Sequence, residues 1–366
     1  MRRFALALSI STVLWFAPVA AQAPSLATVA ARIDSAGPDW IANKLVPSVS
    51  IAISIGGKTV YAKAFGLADV ELGTPARPET VYEIGSITKQ FTAAAILQLA
   101  EQGKLGLDDS LSRFFPDWPA PGRNATVKQL LNHTSGIKSY TGIDRWRSLM
   151  ALPLSHDSMV ALFEREPADF DPGTDWKYDN SGYYLLGLIV EKASGQSYPT
   201  YLTQHLFEPL GLESTRYCGT NAIVPNRAHG YSPSPNGIVN AAPIYVDQAF
   251  AAGAICSTAG DLLAWTRALE AGKVVKPASY QAMTTPIPLP SGKRQRYGFG
   301  LGVGEVAGHR TVGHSGGING FNSMLTSYPA DGAIIAVLVN QDGGADKVAQ
   351  AVARWTLGLP DSTKAR

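Results

Sequence analysis

The sequence predicts an α+β protein: an antiparallel sheet built from both chain ends and flanked by helices, with an inserted, mainly helical subdomain. Near the N-terminus, the alternating segment 49–55, the turn Gly56-Gly57 and the extended segment 59–65 are typical of a β-hairpin. Near the C-terminus, residues 297–340 contain four further strand-like segments joined by short turns. Terminal strands around a helical middle imply that both ends contribute to one sheet.

Apolar periodicity predicts helices through the middle of the chain and at both of its ends. These helices lie near residues 24–44, 127–132, 158–164, 181–194, 198–207, 259–271 and 345–357. A further apolar helix begins near residue 86. We therefore expect an α/β part over about residues 24–85 and 290–366, and a helical part over about 86–285.

Composition limits the possible function classes. The chain has 366 residues, of which 45% are hydrophobic and 16% are charged, and its net charge is +2. This length fits one large domain or two closely packed ones. A charge near zero without runs of Lys or Arg argues against nucleic acid or an anionic membrane surface as a partner. The oligomeric state stays open.

The N-terminus has the pattern of a secretory signal peptide. A pair of arginines is followed by an apolar run over residues 4–19 and then by small residues. A membrane anchor is the alternative, but the run is short and contains Pro18. We expect a signal peptide over residues 1–21, cleaved after Ala21. The mature domain, 22–366, would then be periplasmic or secreted, with no stable membrane insertion.

The chain has two cysteines, Cys218 and Cys256. An exported protein meets an oxidising compartment, which favours a disulfide between them. The loop that it would close gives a stabilisation of roughly 3–4 kcal/mol in the chain-entropy model. Two buried thiols are the alternative, and a catalytic thiol is disfavoured because neither cysteine lies in a nucleophile motif.

A serine and a lysine lie three residues apart where the apolar helix begins. Ser86 and Lys89 can touch because positions i and i+3 share one helix face. The segment 92–100 is apolar on nearly all sides, so the lysine should be buried, and burial lowers its pKa enough for it to act as a base. A second S-x-x-K pair, Ser135 and Lys138, lies in a glycine-containing loop and indicates an ordinary solvated lysine.

A Tyr-x-Asn string, Tyr178 to Asn180, is the only one among the 14 tyrosines. It precedes the predicted helix 181–194, for which Asn180 and Ser181 are candidate N-caps. On this segment alone, we favour the structural interpretation, in which Tyr178 is an aromatic residue before a capped helix.

A Gly-His-Ser-Gly-Gly string at 313–317 follows a predicted strand. It also fits the nucleophile elbow of α/β-hydrolases, with Ser315 as the nucleophile. That elbow needs a following helix and a later histidine, whereas all six histidines precede Ser315 and the next residues are strand-like. We therefore reject the elbow.

These elements, in this order, resemble the motifs of the penicillin-recognising serine enzymes: Ser86-x-x-Lys89, Tyr178-x-Asn180 and His314-x-Gly316. The Tyr-x-Asn form is similar to the branch of class C β-lactamases, D-alanyl-D-alanine carboxypeptidases, D-aminopeptidases and related esterases. The strings at 131–136, 253–262 and 316–321 resemble that branch too. The resemblance covers roughly residues 30–355 and implies a β-lactamase/transpeptidase-like fold.

By this resemblance, Ser86 attacks a carbonyl carbon and forms an acyl-enzyme that water then releases. Lys89 and Tyr178 share the proton transfers, and which of them is the general base stays open. Together with His314, they form the expected catalytic set.

The resemblance also implies how the substrate is held. The backbone N–H groups of Ser86 and Gly317 would form the oxyanion hole. Gly316 would let its strand approach the substrate backbone. Asn180 would bond the substrate amide or the Lys89 amine. His314 would orient the tyrosine or meet a substrate carboxylate, with a charge that depends on pH.

The expected function is an exported serine hydrolase acting on amide or ester bonds of a small molecule or peptide. A D-Ala-type peptidase or an esterase is favoured. A true β-lactamase and a non-catalytic penicillin-binding sensor are the alternatives, and His314, where many members carry lysine, weakens the first. We expect no cofactor and no metal, because no zinc-type spacing occurs. The other central histidines are expected to be structural or superficial: His133, His156, His205 and His229.

Overall fold

Seven strands from the two ends of the chain form one antiparallel sheet in the computed structural model, which describes residues 25–360. The strands, in chain order β1 to β12, are Ser48–Ile55, Lys58–Asp69, Thr74–Pro75, Tyr82–Glu83, Arg216–Tyr217, Tyr231–Ser234, Gly237–Asn240, Ile255–Ser257, Gly302–Val306, His309–Ile318, Phe321–Tyr328 and Ala333–Val339. The large sheet has the order β3-β2-β1-β12-β11-β10-β9. The N-terminal and C-terminal strands therefore join through β1 and β12, and the expected sheet is confirmed.

Helices fill most of the middle of the chain and cover the sheet. In chain order, α1 to α12 are Leu26–Ala42, Thr88–Glu101, Leu111–Phe114, Val127–Leu131, Asp144–Leu149, His156–Ala161, Asn180–Ser194, Tyr198–Leu202, Phe250–Gly253, Ala259–Glu270, Pro277–Met283 and Ala345–Thr356. The helix predicted over 198–207 ends at Leu202 and continues as a π-helical turn, Thr203–Phe207. The strand predicted from residue 297 begins only at Gly302.

The central strands β1 and β12 are buried on both faces. Ile51 and Val337 belong to the apolar cluster under α1 and α12, whereas Ala52 and Ala336 belong to the larger cluster on the opposite face. The polar positions of β1 are buried too, since Ser50 is only 1% exposed. Small side chains on this face leave room for α10, which packs on β1 and β12.

The helical middle also contains strands that its sequence did not predict. β8 and β5 form a small sheet with β4, which precedes the helical part, and β6 pairs with β7. A disulfide joins Cys218, which follows β5, to Cys256 in β8, with a Cα–Cα distance of 5.7 Å. Because β8 also pairs with β4, the disulfide strengthens the small sheet to which the strand before Ser86 belongs.

The expected signal peptide, residues 1–21, lies outside the described residues. Between residues 25 and 360, no helix has both the length and the apolar character needed to cross a membrane.

Candidate active site

Ser86 lies in a single 3₁₀ turn, Gly85–Ile87, which leads directly into α2. Gly85 has a φ of +50°, and a Cβ at this position would lie 2.8 Å from the backbone nitrogen of Gly317. Only glycine combines this conformation with such a close approach. The backbones before Ser86 and at Gly317 therefore lie side by side, which brings together the two amides expected to form the oxyanion hole.

The side chain of Lys89 is completely buried. Its Nζ donates hydrogen bonds to Ser86 Oγ at 3.1 Å, to Asn180 Oδ1 at 2.7 Å and to the carbonyl oxygen of Ala252 at 2.8 Å. Burial lowers the pKa of Lys89 to about 7, because the ammonium form loses its hydration. A large fraction of the amine is therefore neutral near pH 7 and can accept a proton from Ser86.

Aromatic rings and a turn of backbone enclose this amine. The Nζ atom of Lys89 lies 4.8 Å from the ring centroid of Tyr178 and 5.4 Å from that of Tyr183. At Gly300, where φ is +69°, a Cβ would lie 2.7 Å from the carbonyl oxygen of Lys89. The segment 297–301 thus packs directly on α2, and this packing explains why it leaves the predicted strand.

The hydroxyl of Tyr178 is buried and has no hydrogen-bond partner within the described structure. Burial raises its pKa, and the nearby hydroxyl of Ser86 offsets part of this rise without reaching hydrogen-bond geometry. Tyr178 is therefore protonated at neutral pH. Its O–H is available to donate a proton to a group that enters the cleft.

The helix α7 is capped by Asp179, whereas the sequence indicated Asn180 or Ser181. The Asp179 carboxylate accepts hydrogen bonds from the backbone N–H groups of Ser181 at 2.7 Å and Gly182 at 2.9 Å. Asp179 has the extended backbone that an N-cap requires, and Asn180 is already helical. Asn180 is thereby free to bind Lys89, while its Nδ2 donates to Thr141 Oγ1 at 3.1 Å.

His133 contacts both Tyr178 and Asp179 on the side of these residues that faces the protein interior. Its Nδ1 accepts a hydrogen bond from the backbone N–H of Asp179 at 3.1 Å, and its ring centroid lies 4.4 Å from that of Tyr178. Burial and the neighbouring Lys89 amine hold the pKa of His133 well below its usual value. The imidazole is therefore a neutral part of the wall, as expected for a structural histidine.

The strand β10 forms the opposite side of the site. A Cβ at Gly316 would lie 1.9 Å from the carbonyl oxygen of Ile84 and 2.3 Å from Ser323 Oγ. Its missing side chain therefore makes room for the turn that carries Ser86. That Gly316 also lets the strand approach the substrate backbone stays a prediction. Gly317 is exposed, and a Cβ there would meet no atom within 4 Å.

His314 lies at the start of this part of β10 and contacts two neighbours. Its Nε2 is 2.9 Å from the hydroxyl of Tyr297, and its Nδ1 is bonded to the carbonyl oxygen of Ser315. Burial and the Lys89 amine lower the pKa of His314 to about 4. At this pKa the ring would already be neutral at pH 6.5, where the sequence alone led us to expect its change of charge.

The second S-x-x-K pair has no such arrangement. Ser135 is only 1% exposed, and its Oγ accepts a hydrogen bond from the N–H of Ile137 at 3.2 Å. Lys138 forms an ion pair with Asp169 at 3.1 Å. The pair is therefore part of the loop structure.

Among the described residues, no group of three or more His, Cys, Asp or Glu side chains is arranged to hold a metal ion. A cavity of about 950 Å³ lies between α10 and the turns of the sheet, lined by residues such as Arg267 and Glu270. It contains none of the motif residues. The chemistry that we infer therefore rests on the Ser86 cluster and not on this cavity.

Comparison with known proteins identifies the family. The model of the family described as Beta-lactamase matches residues 35–358. Penicillin-binding protein 4* of Bacillus subtilis (strain 168) is 32% identical over 75% of this chain and 63% of its own length. A D-aminopeptidase of Brucella anthropi is 25% identical over 87% of this chain and 61% of its own. The chain thus spans about three fifths of the length of these relatives.

A solved structure shows the same fold. The D-stereospecific amidohydrolase of a Streptomyces species has a TM-score of 0.76 and 28% identity, over 90% of this chain and 98% of its own. The family and the fold that the three motifs predicted are both confirmed. The chain belongs to the beta-lactamase family, a family of serine hydrolases.

Proposed function

We propose that this protein is an exported serine hydrolase that forms an acyl-enzyme on Ser86 and cleaves amide or ester bonds of small substrates. The observation that carries the proposal is the buried Lys89 amine, with a pKa of about 7, bonded to Ser86 Oγ at 3.1 Å. A serine hydroxyl needs a base within hydrogen-bond reach, and this amine fulfils both requirements near neutral pH.

Acylation begins when neutral Lys89 takes the proton of Ser86 and Oγ attacks the substrate carbonyl carbon. The negative charge that develops on the carbonyl oxygen is stabilised by the N–H groups of Ser86 and Gly317. Asn180 and the carbonyl oxygen of Ala252 accept from the lysine in its neutral and its charged form, so they keep Nζ directed at Oγ.

Collapse of the tetrahedral intermediate requires a proton on the leaving nitrogen or oxygen. Tyr178 is protonated and its hydroxyl has no competing partner, so it is the donor that this geometry supports. The Lys89 ammonium then restores the tyrosine proton. Water releases the acyl group by the reverse sequence, with the same groups acting as base and acid.

A neutral substrate with a D-configured amide, or a short ester, fits the proposal best. Two relatives carry D-specific names, a D-aminopeptidase and a D-stereospecific amidohydrolase. His314, neutral above pH 6, supplies no positive charge for the carboxylate of a β-lactam or of a D-Ala-terminated peptide. A true β-lactamase is therefore less well supported, and a non-catalytic sensor would not require the intact Ser86, Lys89 and Tyr178 cluster.

Export is part of the proposal. It rests on the signal-like residues 1–21 and on the disulfide between Cys218 and Cys256, which an oxidising compartment favours. The periplasm or the exterior is then the proposed location.

Ser86 should be the acylated residue. A fluorophosphonate probe is expected to form an adduct that mass spectrometry assigns to the peptide containing Ser86. Of Ser86, Ser135 and Ser315, only Ser86 has a hydroxyl that is hydrogen-bonded to the buried Lys89 amine. Ser86→Ala should abolish labelling, and the matched control Ser315→Ala should retain it. An adduct on Ser135 or Ser315 would contradict the proposal.

Lys89 and Tyr178 should act as one unit. Lys89→Ala and Tyr178→Phe should each lower kcat by about two to four orders of magnitude, the usual effect of losing an acid–base group. The double variant should be little worse than either single variant. Because the Tyr178 hydroxyl has no partner, Tyr178→Phe should leave the melting temperature nearly unchanged. Full additivity of the two effects on kcat would remove one residue from the relay.

The pH profile should report Lys89. A general base must be neutral, so activity is lost as pH falls through the Lys89 pKa of about 7 and gained as pH rises above it. For a neutral ester, kcat/KM should increase about tenfold between pH 6 and pH 8 and then level off. A profile that keeps rising beyond pH 10 would instead indicate the Tyr178 phenolate as the base.

Substrate choice should follow charge. At pH 8, the neutral substrates N-acetyl-D-alanine p-nitroanilide and p-nitrophenyl acetate should be turned over. The value of kcat/KM for a cephalosporin should be about 10–100-fold lower, the effect of losing one charge-assisted hydrogen bond. His314→Lys should recover part of the cephalosporin turnover by supplying a cation. A wild-type enzyme that prefers the cephalosporin at pH 8 would refute the proposed substrate class.

A further inference from the structure

Tyr297 touches the proposed site although none of the three motifs contains it. It is 6% exposed and begins the segment 297–301, which packs on α2 through Gly300. Its ring centroid lies 5.5 Å from that of His314 and 6.2 Å from that of Tyr178. Its hydroxyl lies 2.9 Å from His314 Nε2.

The two hydrogen bonds of His314 define where its proton lies. The carbonyl oxygen of Ser315 can only accept, so His314 Nδ1 must donate to it. In the neutral ring Nε2 then carries no proton and must accept, which makes the Tyr297 hydroxyl the donor. Both ring nitrogens are thus used within the protein.

We propose that Tyr297 is a positioning residue that holds His314 as a neutral imidazole protonated on Nδ1, so that the site meets its substrate there without a positive charge. This inference rests on the proposed function, because it concerns the substrate class of that same site. It assigns a role to a residue outside the motifs. Any carboxylate on the substrate gains no ion pair at His314 while the Tyr297 hydrogen bond persists.

The surroundings of His314 favour the same state. The titratable groups that face it are Lys89 from α2, Tyr178 before α7, His133 behind that tyrosine, and Tyr297 itself. The one that carries a positive charge below pH 7 is Lys89, and it opposes a second positive charge on the ring. A hydrogen bond donated to Nε2 also stabilises the neutral ring over the charged one.

Removal of the Tyr297 hydroxyl should therefore release His314. In Tyr297→Phe the Nε2 lone pair loses its donor, and the pKa of His314 should rise by about 1 or more. The ring is then free to take a proton or to turn toward a substrate carboxylate. Tyr61→Phe is the matched control, because Tyr61 is equally buried and its hydroxyl donates to Asp34 at 2.8 Å in the layer under α1.

Nitrogen-15 NMR of the imidazole rings tests the proposal without any substrate. Over pH 5.5–8, wild-type His314 should show a protonated Nδ1 and an unprotonated Nε2 that do not titrate; comparison with His314→Asn assigns its signals. In Tyr297→Phe these signals should begin to shift toward those of the protonated ring near pH 5.5, or should change tautomer, and in Tyr61→Phe they should stay as in wild type. A wild-type ring protonated on Nε2, or a Tyr297→Phe spectrum like that of wild type, would overturn the proposal.

Kinetics provide the second measurement. The ratio of kcat/KM for a carboxylate-bearing ester to that for a matched neutral ester should be flat in wild type between pH 5.5 and 8. In Tyr297→Phe it should rise about threefold or more toward pH 5.5, because a higher His314 pKa leaves more of the ring protonated there. A wild-type ratio that rises likewise would overturn the proposal. If neither ester is hydrolysed, the proposed function fails, and the spectra alone decide the role of Tyr297.

Discussion

Burial of the Lys89 amine is the constraint on which the arrangement of the site depends. An ammonium group in this position would be costly. The neutral amine can instead donate to Asn180 at the start of α7 and to the carbonyl of Ala252 in α9, which leaves its lone pair for the hydroxyl of Ser86 before α2. The nearby Asp179 carboxylate favours the charged lysine, but its oxygens are already bonded by the first N–H groups of α7. Desolvation therefore dominates.

The Lys89 amine is shielded from solvent because the backbones of segments that are distant in the sequence pack closely around it. Gly85 and Gly317 touch beside Ser86, Gly316 touches Ile84, and Gly300 touches α2 at Lys89 itself. A Cβ at Gly85, Gly316 or Gly300 would separate β10 or the segment 297–301 from the turn of the nucleophile. Such a gap would admit water to the lysine and raise its pKa, so that less of the amine would be neutral near pH 7 and able to accept a proton.

Local patterns explain why the fold class and the serine–lysine pair could be predicted from the sequence. The spacing of Ser86 and Lys89 places them on one helix face wherever the helix lies. The acceptor carbonyl of Ala252 and the hydroxyl of Tyr297 reach the site only through tertiary packing, and neither belongs to a motif. The pKa of His314 likewise depends on its burial and on its distance from Lys89, and neither can be deduced from the spacing of residues in the sequence.

The resulting electrostatics differ from those of a site with lysine in the third motif. Above pH 7, Lys89 is mostly neutral, His314 is neutral and Tyr178 is protonated. Burial raises the pKa of Asp179, but two backbone N–H groups and the α7 dipole favour its carboxylate form. The proposed catalytic cluster thus contains no side chain that is fully positively charged at this pH. A substrate anion would leave water for a pocket of neutral dipoles backed by a carboxylate, and it would lose hydration without gaining an ion pair. A neutral ester or amide would avoid that loss. In the proposed function, the burial that activates Ser86 through Lys89 would therefore also select against anionic substrates.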